Sequence, residues 1–154
     1  MREFQYKNIN SFDEASKILL KKKSIAISGG TDLITVLKDE IFEDAFESVV
    51  NLKTIDSAAY ITAEEDCFKI GALTKLADVA DSPTVQKRMP ILSEAAKSVA
   101  SPIIRNSATV GGNICQDVRC TYYRSPHQSG GRINCYRKGG NECFALHGNN
   151  KYHS

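Results

Sequence analysis

The sequence predicts an α+β domain, with mixed strands and helices packed on them. Three observations carry that expectation: a serine-led capping box before an amphipathic run, short isoleucine- and valine-rich runs closed by glycine or polar residues, and Ser-Pro pairs at helix starts. In Ser11-Phe-Asp-Glu14 the serine side chain accepts from the Glu14 amide while the Glu14 carboxylate reaches back to the amide of Ser11. The helix that follows puts Phe12, Ala15, Ile18 and Leu19 on one face and Lys21 to Lys23 near its negative end. Ser24-Ile-Ala-Ile27 is short, apolar and closed by a glycine pair, as a buried strand would be. After Ser28-Gly-Gly-Thr-Asp32, the spacing of Leu33, Ile34, Val36 and Leu37 predicts a second helix. Val49–Leu52, Tyr60–Thr62 and Cys67–Ile70 are strand candidates, the last two joined by a polar turn as a hairpin, with Cys67 read as a small buried hydrophobe. Helices resume over 74–80 and across Ile91, Leu92, Ala95, Ala96 and Val99. They also start at Ser82-Pro83 and Ser101-Pro102, where serine caps and the missing proline amide leaves no bond unmade.

A chain of 154 residues with 42% hydrophobic and 25% charged content has the makings of one globular domain, and disorder is excluded for most of it. A net charge of +2, from 20 basic and 18 acidic residues, argues against nucleic acid or an anionic membrane as the main partner. No apolar run is long enough to span a bilayer, and Met1-Arg-Glu-Phe-Gln-Tyr6 lacks the apolar core of a secretion signal, so the expected compartment is the cytoplasm. There, five cysteines are expected to be reduced and metal-binding or catalytic rather than disulfide-bonded. Composition changes after Asn113: residues 114–154 hold four cysteines, all three histidines and five of the ten glycines, with few apolar runs. The expected division is therefore 1–113, with a first lobe of about 1–52 and a second of about 53–113, followed by a Cys-rich insert at 114–154. That insert calls for something other than hydrophobic burial to order it.

Ser28-Gly-Gly-Thr-Asp32 sits where a strand hands over to a helix, and backbone amides freed by glycine there can converge on an anion such as phosphate. Ala108-Thr-Val-Gly-Gly-Asn113 repeats the chemistry, and two such segments suit a ligand with two phosphates. No lysine follows the glycines as in a P-loop, and neither segment matches the G-x-G-x-x-G dinucleotide fingerprint. Taken singly, each Gly-Gly pair beside a strand is more often just a turn.

Together, Ile27-Ser-Gly-Gly-Thr-Asp-Leu33 and Ile103-Ile-Arg-Asn-Ser-Ala-Thr-Val-Gly-Gly-Asn-Ile114 resemble the paired FAD-binding signature of the molybdopterin dehydrogenase flavoprotein subunits, the xanthine dehydrogenase and carbon monoxide dehydrogenase group. The resemblance includes the opening strand at Phe4-Gln-Tyr6 and the capped helix. It implies the two-subdomain FAD-binding fold of the vanillyl-alcohol oxidase and molybdopterin dehydrogenase type, ending before that fold's C-terminal domain. It also implies that Ser28, Gly29, Gly30, Thr31, Asp32 and Leu33, with Thr109, Val110, Gly111, Gly112 and Asn113, lie on the FAD pyrophosphate, and that Val99 lines the cofactor. The implied function is an oxidoreductase subunit, inactive alone. Its FAD takes electrons from a molybdenum site through iron-sulfur clusters on partner chains and passes them to an external acceptor. No side chain need then be an acid, base or nucleophile, because the chemistry belongs to the flavin. The implied partners are a molybdopterin-binding large subunit, a 2Fe-2S small subunit and, if the subunit is naturally split, a chain carrying the C-terminal half.

The tail, with Cys115, Cys120, Cys135 and Cys143, resembles an insert of some of these subunits, among them 4-hydroxybenzoyl-CoA reductase, that holds a 4Fe-4S cluster. By position Cys120, Cys135 and Cys143 match three ligands; the fourth would fall near Tyr152 or His153, and Cys115 is the reserve. Thiolates suit such clusters, and nearby arginine and lysine would offset their charge. Unligated thiols, an all-thiolate zinc site and a metal-binding interaction module without flavin are the alternatives, although the close C-x-x-C pairs of zinc ribbons are lacking. His127, His147 and His153 show no metal-like spacing and are read as solvent-facing, and Tyr122 and Tyr123 as packing residues rather than stacking ones.

Overall fold

The computed structural model describes residues 1–42, 44, 46–126 and 133–147, so His127, His153 and Tyr152 fall outside the described residues. The chain runs β1 (Gln5–Asn8), α1 (Phe12–Leu19), β2 (Ser24–Ile27), α2 (Leu33–Lys38) and β3 (Ser48–Asn51), then short 3-10 turns at Leu52–Thr54 and Asp56–Ala58. The hairpin β4 (Ile61–Ala63) and β5 (Phe68–Ile70) leads to α3 (Leu76–Asp81), α4 (Pro83–Arg88), α5 (Pro90–Ser98), α6 (Pro102–Arg105), α7 (Val110–Ile114) and α8 (Thr121–Arg124). A last 3-10 turn covers Tyr136–Lys138.

Among the described residues β1, β3 and β2 form a parallel sheet in that order, with Gln5 and Ser24 both opposite Ser48. All of β3 is buried, as expected for the middle strand of a covered parallel sheet, and Val49 and Val50 are fully enclosed. Parallel pairing sets the C-terminal ends of all three strands on one edge. There the buried Asn51 amide donates to Asn8 at 2.9 Å, and the glycine loop leaves β2.

The serine caps form as expected: Ser11, Ser82 and Ser101 accept from the amides of Glu14, Val85 and Ile104. The Glu14 carboxylate reaches one residue further back than expected, to the amide of Asn10 at 3.0 Å. Phe12 is exposed, leaving Ala15, Ile18 and Leu19 to face Ile9, Val50, Ile55, Ala58 and Leu73. That cluster joins residues on both sides of position 52, so the first and second lobes share one core. A second cluster, of Val79, Ala80, Val85 and Ala96, packs the hairpin under α3, α4 and α5.

Cys67 is not buried. With Ala63 paired to Phe68, strand alternation turns Phe68 and Ile70 inward and Lys69 and Cys67 outward. Its thiol donates to Glu64 at 3.0 Å; that bond first, and partial desolvation second, push the thiol pKa up.

The described part of the tail also departs from expectation, because it shares a hydrophobic cluster with α2. Tyr123 and Cys135 are buried together with Val36 and Ile41, and Leu33, Phe42, Cys120 and Ile133 pack around them. Having few apolar residues of its own, the segment uses the outer face of α2. Tyr122 stacks on Phe144 with centroids 5.1 Å apart, and Tyr123 meets Phe42 edge-on at 6.0 Å. His147 is exposed.

Candidate functional site

The two glycine segments lie against each other. The hydroxyls of Ser28 and Thr109 are hydrogen-bonded at 2.9 Å, and the Ser107 hydroxyl donates to the Gly29 carbonyl at 2.8 Å. A Cβ on Gly29 would stand 2.3 Å from the Ser107 carbonyl oxygen and 2.8 Å from Ala108 Cα. Glycine is therefore demanded there by close approach of backbone to backbone. Gly30 has φ +74°, a left-handed conformation that a residue with a side chain adopts only under strain.

Their amides behave differently. In the first segment the N–H groups of Gly29, Gly30, Thr31 and Asp32 donate to no acceptor among the described residues. In the second, Val110 donates to the Thr74 carbonyl at 2.9 Å and Gly111 to the Ala72 carbonyl at 2.7 Å. Gly112 donates to Thr109 Oγ1 at 3.2 Å and Asn113 to the Thr109 carbonyl at 2.9 Å. Gly111 and Gly112 thus lie in the first turn of α7, capped by Thr109, and not in an open turn. Of the two segments, only the first has amides without an acceptor among the described residues; from Val110 onward the second bonds its own within the fold. The second is a rigid wall: a Cβ on Gly112 would stand 2.8 Å from Ser28 Oγ and 3.0 Å from Thr109 Oγ1.

Among the other candidates, Leu33 packs into the cluster beneath α2 and Asn113 is exposed. Val99 is half-buried at the end of α5, its carbonyl bound by Arg105 at 2.8 Å and followed by Ala100 at φ +45°. No hydrogen bond among the described residues ties Val99 to either glycine segment.

Asp32 precedes α2 but does not cap it with its side chain. Its carboxylate takes Arg124 Nη2 at 2.8 Å, Gln116 Nε2 at 3.3 Å and Arg119 Nη2 at 3.4 Å, all from the tail. Arg124 is itself fixed by the carbonyls of Val118 at 2.7 Å and Asp117 at 3.0 Å. Asp117 accepts from the Tyr123 hydroxyl at 2.5 Å and pairs with Arg137 at 2.9 Å, whose guanidinium lies 4.6 Å over the Tyr123 ring. Burial opposes ionisation of Asp117, yet the Tyr123, Val118 and Arg137 contacts outweigh it and hold the carboxyl below its usual range. Burial foremost, with Asp117 next, pushes Tyr123 up to about 12.

Sequence reasoning missed Ser107, Gln116, Arg119 and Arg124 as site residues. Ser107 lay within the recognised run, but the tail residues carried no motif.

Cys120, Cys135 and Cys143 do not gather into one ligand group in the described arrangement. No group of three His, Cys, Asp or Glu side chains among the described residues could hold a metal ion. Cys135 is instead buried as an apolar filler, Cys120 packs beside that cluster, Cys143 is half-buried and Cys115 is exposed.

Four amides without an acceptor among the described residues thus follow the end of a parallel strand, and the second glycine segment packs against them. The family described as FAD binding domain in molybdopterin dehydrogenase matches residues 2–123. The chain belongs to this family.

It is 32% identical to the nicotinate dehydrogenase FAD-subunit of Eubacterium barkeri over 74% of this chain and 39% of that one. The aldehyde oxidoreductase FAD-binding subunit of Escherichia coli is 31% identical over 100% of this chain, the tail included, and 47% of its own length. Among solved structures, carbon monoxide dehydrogenase from Hydrogenophaga pseudoflava superposes with a TM-score of 0.69 at 34% identity, over 73% of this chain and 39% of that one. The chain thus spans less than half the length of these relatives. Among the described residues no helix is long and apolar enough to cross a membrane.

Proposed function

We propose that this chain is the FAD-binding part of an electron-transfer subunit in a molybdenum hydroxylase. The observation that carries the reading is the junction of the glycine segments, in which Ser28 meets Thr109 and Gly29 lies on Ser107 and Ala108, beside four amides with no acceptor among the described residues. The residues fit the diphosphate of FAD: the amides of Gly29 to Asp32 donate, and Thr109 to Asn113 close the cradle at close range because Gly112 has no side chain. Bound there, FAD supplies the redox chemistry, accepting electrons from a molybdenum centre by way of iron-sulfur clusters and releasing them to an external acceptor. The protein's own work is to hold and orient it. A molybdopterin-binding large subunit, a 2Fe-2S small subunit and a chain supplying the rest of the flavin domain are the proposed partners. The cytoplasm is the proposed compartment, in keeping with five free thiols.

The test is to purify the chain with its neighbouring subunits and measure bound flavin. Gly112→Val, which drives a branched side chain into the Ser28 and Thr109 hydroxyls, should lower FAD affinity by about tenfold or more while the circular dichroism stays unchanged. Unaltered FAD content would overturn the reading. A 4Fe-4S cluster on Cys120, Cys135 and Cys143 is a second reading, favoured only by Cys120 packing beside buried Cys135, and no electron step is routed through it. Iron and acid-labile sulfide assays on the same preparation decide it.

A further inference from the structure

The first glycine segment carries a carboxylate among its free amides, which is the wrong charge beside a diphosphate. Asp32 immediately follows Gly29, Gly30 and Thr31, and its side chain is not spent on capping α2. Two guanidiniums from the tail meet it instead. Arg124 is 17% exposed and held by Asp32, Asp117 and Val118, whereas Arg119 is 64% exposed and makes one contact at 3.4 Å. One carboxylate against two guanidiniums leaves this corner net positive.

We propose that Arg124 is a positioning residue for the cofactor loop: by pairing with Asp32 it cancels the loop's negative charge and pins it to the tail, so that the tail sets the affinity for the FAD diphosphate. Arg119 adds a second, more loosely held positive charge at the same corner. This rests on the FAD reading above and adds to it a residue outside both glycine segments. The electrostatic part separates from a packing role, because a packing defect at position 124 cannot be repaired by neutralising position 32, whereas an uncompensated charge can.

The experiment measures dissociation constants for FAD, ADP and riboflavin by fluorescence or calorimetry on the full chain with its co-purifying subunits. Arg124→Ala should weaken FAD and ADP by about tenfold and leave riboflavin, which has no phosphate, unchanged. Adding Asp32→Asn to Arg124→Ala should restore most of the loss. Arg119→Gln, at an exposed position that cannot unfold the chain, should weaken FAD and ADP by about threefold and keeps the test open if Arg124→Ala is unstable. Equal FAD affinity in wild type, Arg124→Ala and Arg119→Gln would overturn the proposal while leaving FAD binding intact. So would an Arg124→Ala loss that Asp32→Asn fails to repair. A wild-type chain that takes up neither FAD nor ADP would instead overturn the functional reading, and this proposal with it.

Discussion

Between residues 28 and 33 the backbone leaves four amides without an acceptor, whereas between 109 and 113 each amide from Val110 onward already has one. Both segments read as a hydroxyl residue followed closely by Gly-Gly, yet one offers donors and the other spends its donors on itself. Context makes the difference. The first leaves a strand and enters α2 through Gly30 at positive φ. The second is a helix start clamped to Ala72 and Thr74, where the missing side chain at Gly112 matters more than any freedom of the backbone. Identical wording therefore identifies a site without assigning the jobs within it.

The division of labour can be broken most sharply at Gly29. Gly29→Ala places a methyl 2.3 Å from a carbonyl that cannot rotate away, so the segments must part; a stability loss of about 3 kcal/mol in urea unfolding is expected, with loss of flavin. A Gly29→Ala protein as stable as wild type would mean that the segments do not pack as described. Ser28→Ala removes one hydroxyl contact but leaves Thr109 Oγ1 bonded to Gly112, and should cost about 1 kcal/mol in the same measurement.

The smallest effect sharpens the contrast through pH, since side chains of the tail hold the Asp32 carboxylate of the first segment. The folded pKa of Asp117 lies below its ordinary value of 3.8, so its contribution is present above that pH and is lost as the pH falls through the lower folded value. Tyr123 is raised from 10.0 to about 12, so its contribution is full below pH 10 and is lost as the pH rises through 12. Absorbance titration should show one of the six tyrosines ionising near pH 12 in the folded chain. Replacement by Tyr123→Phe should remove that step, and all tyrosines titrating together near 10 would dissolve the contact with Asp117.

Much of the fold was legible because it depends on local rules. Ser11, Ser82 and Ser101 announced their helices, and the isoleucine and valine runs announced the strands. The wording of the glycine segments was sufficient to bring residues 80 positions apart into one hypothesis. What escaped was decided by partners distant in sequence. The exposure of Cys67 follows from hairpin register, a matter of which residue faces Ala63. The ordering of the described part of the tail depends on the apolar residues Leu33 and Val36 of α2, whose partners the sequence did not name. Arg124 resembles any surface arginine until folding brings it 2.8 Å from Asp32.

The strand order has a bearing on how the chain comes together. Neither β1 nor β2 has the other as a neighbour; both pair only with β3. During synthesis the first two strands must wait, their backbone edges unsatisfied, until residues 48–51 have left the ribosome, and closure depends on loop formation over long separations. The amides of residues 29–32 hang from the end of β2, so their placement waits on a strand that leaves the ribosome after them, however intact the glycine signature itself.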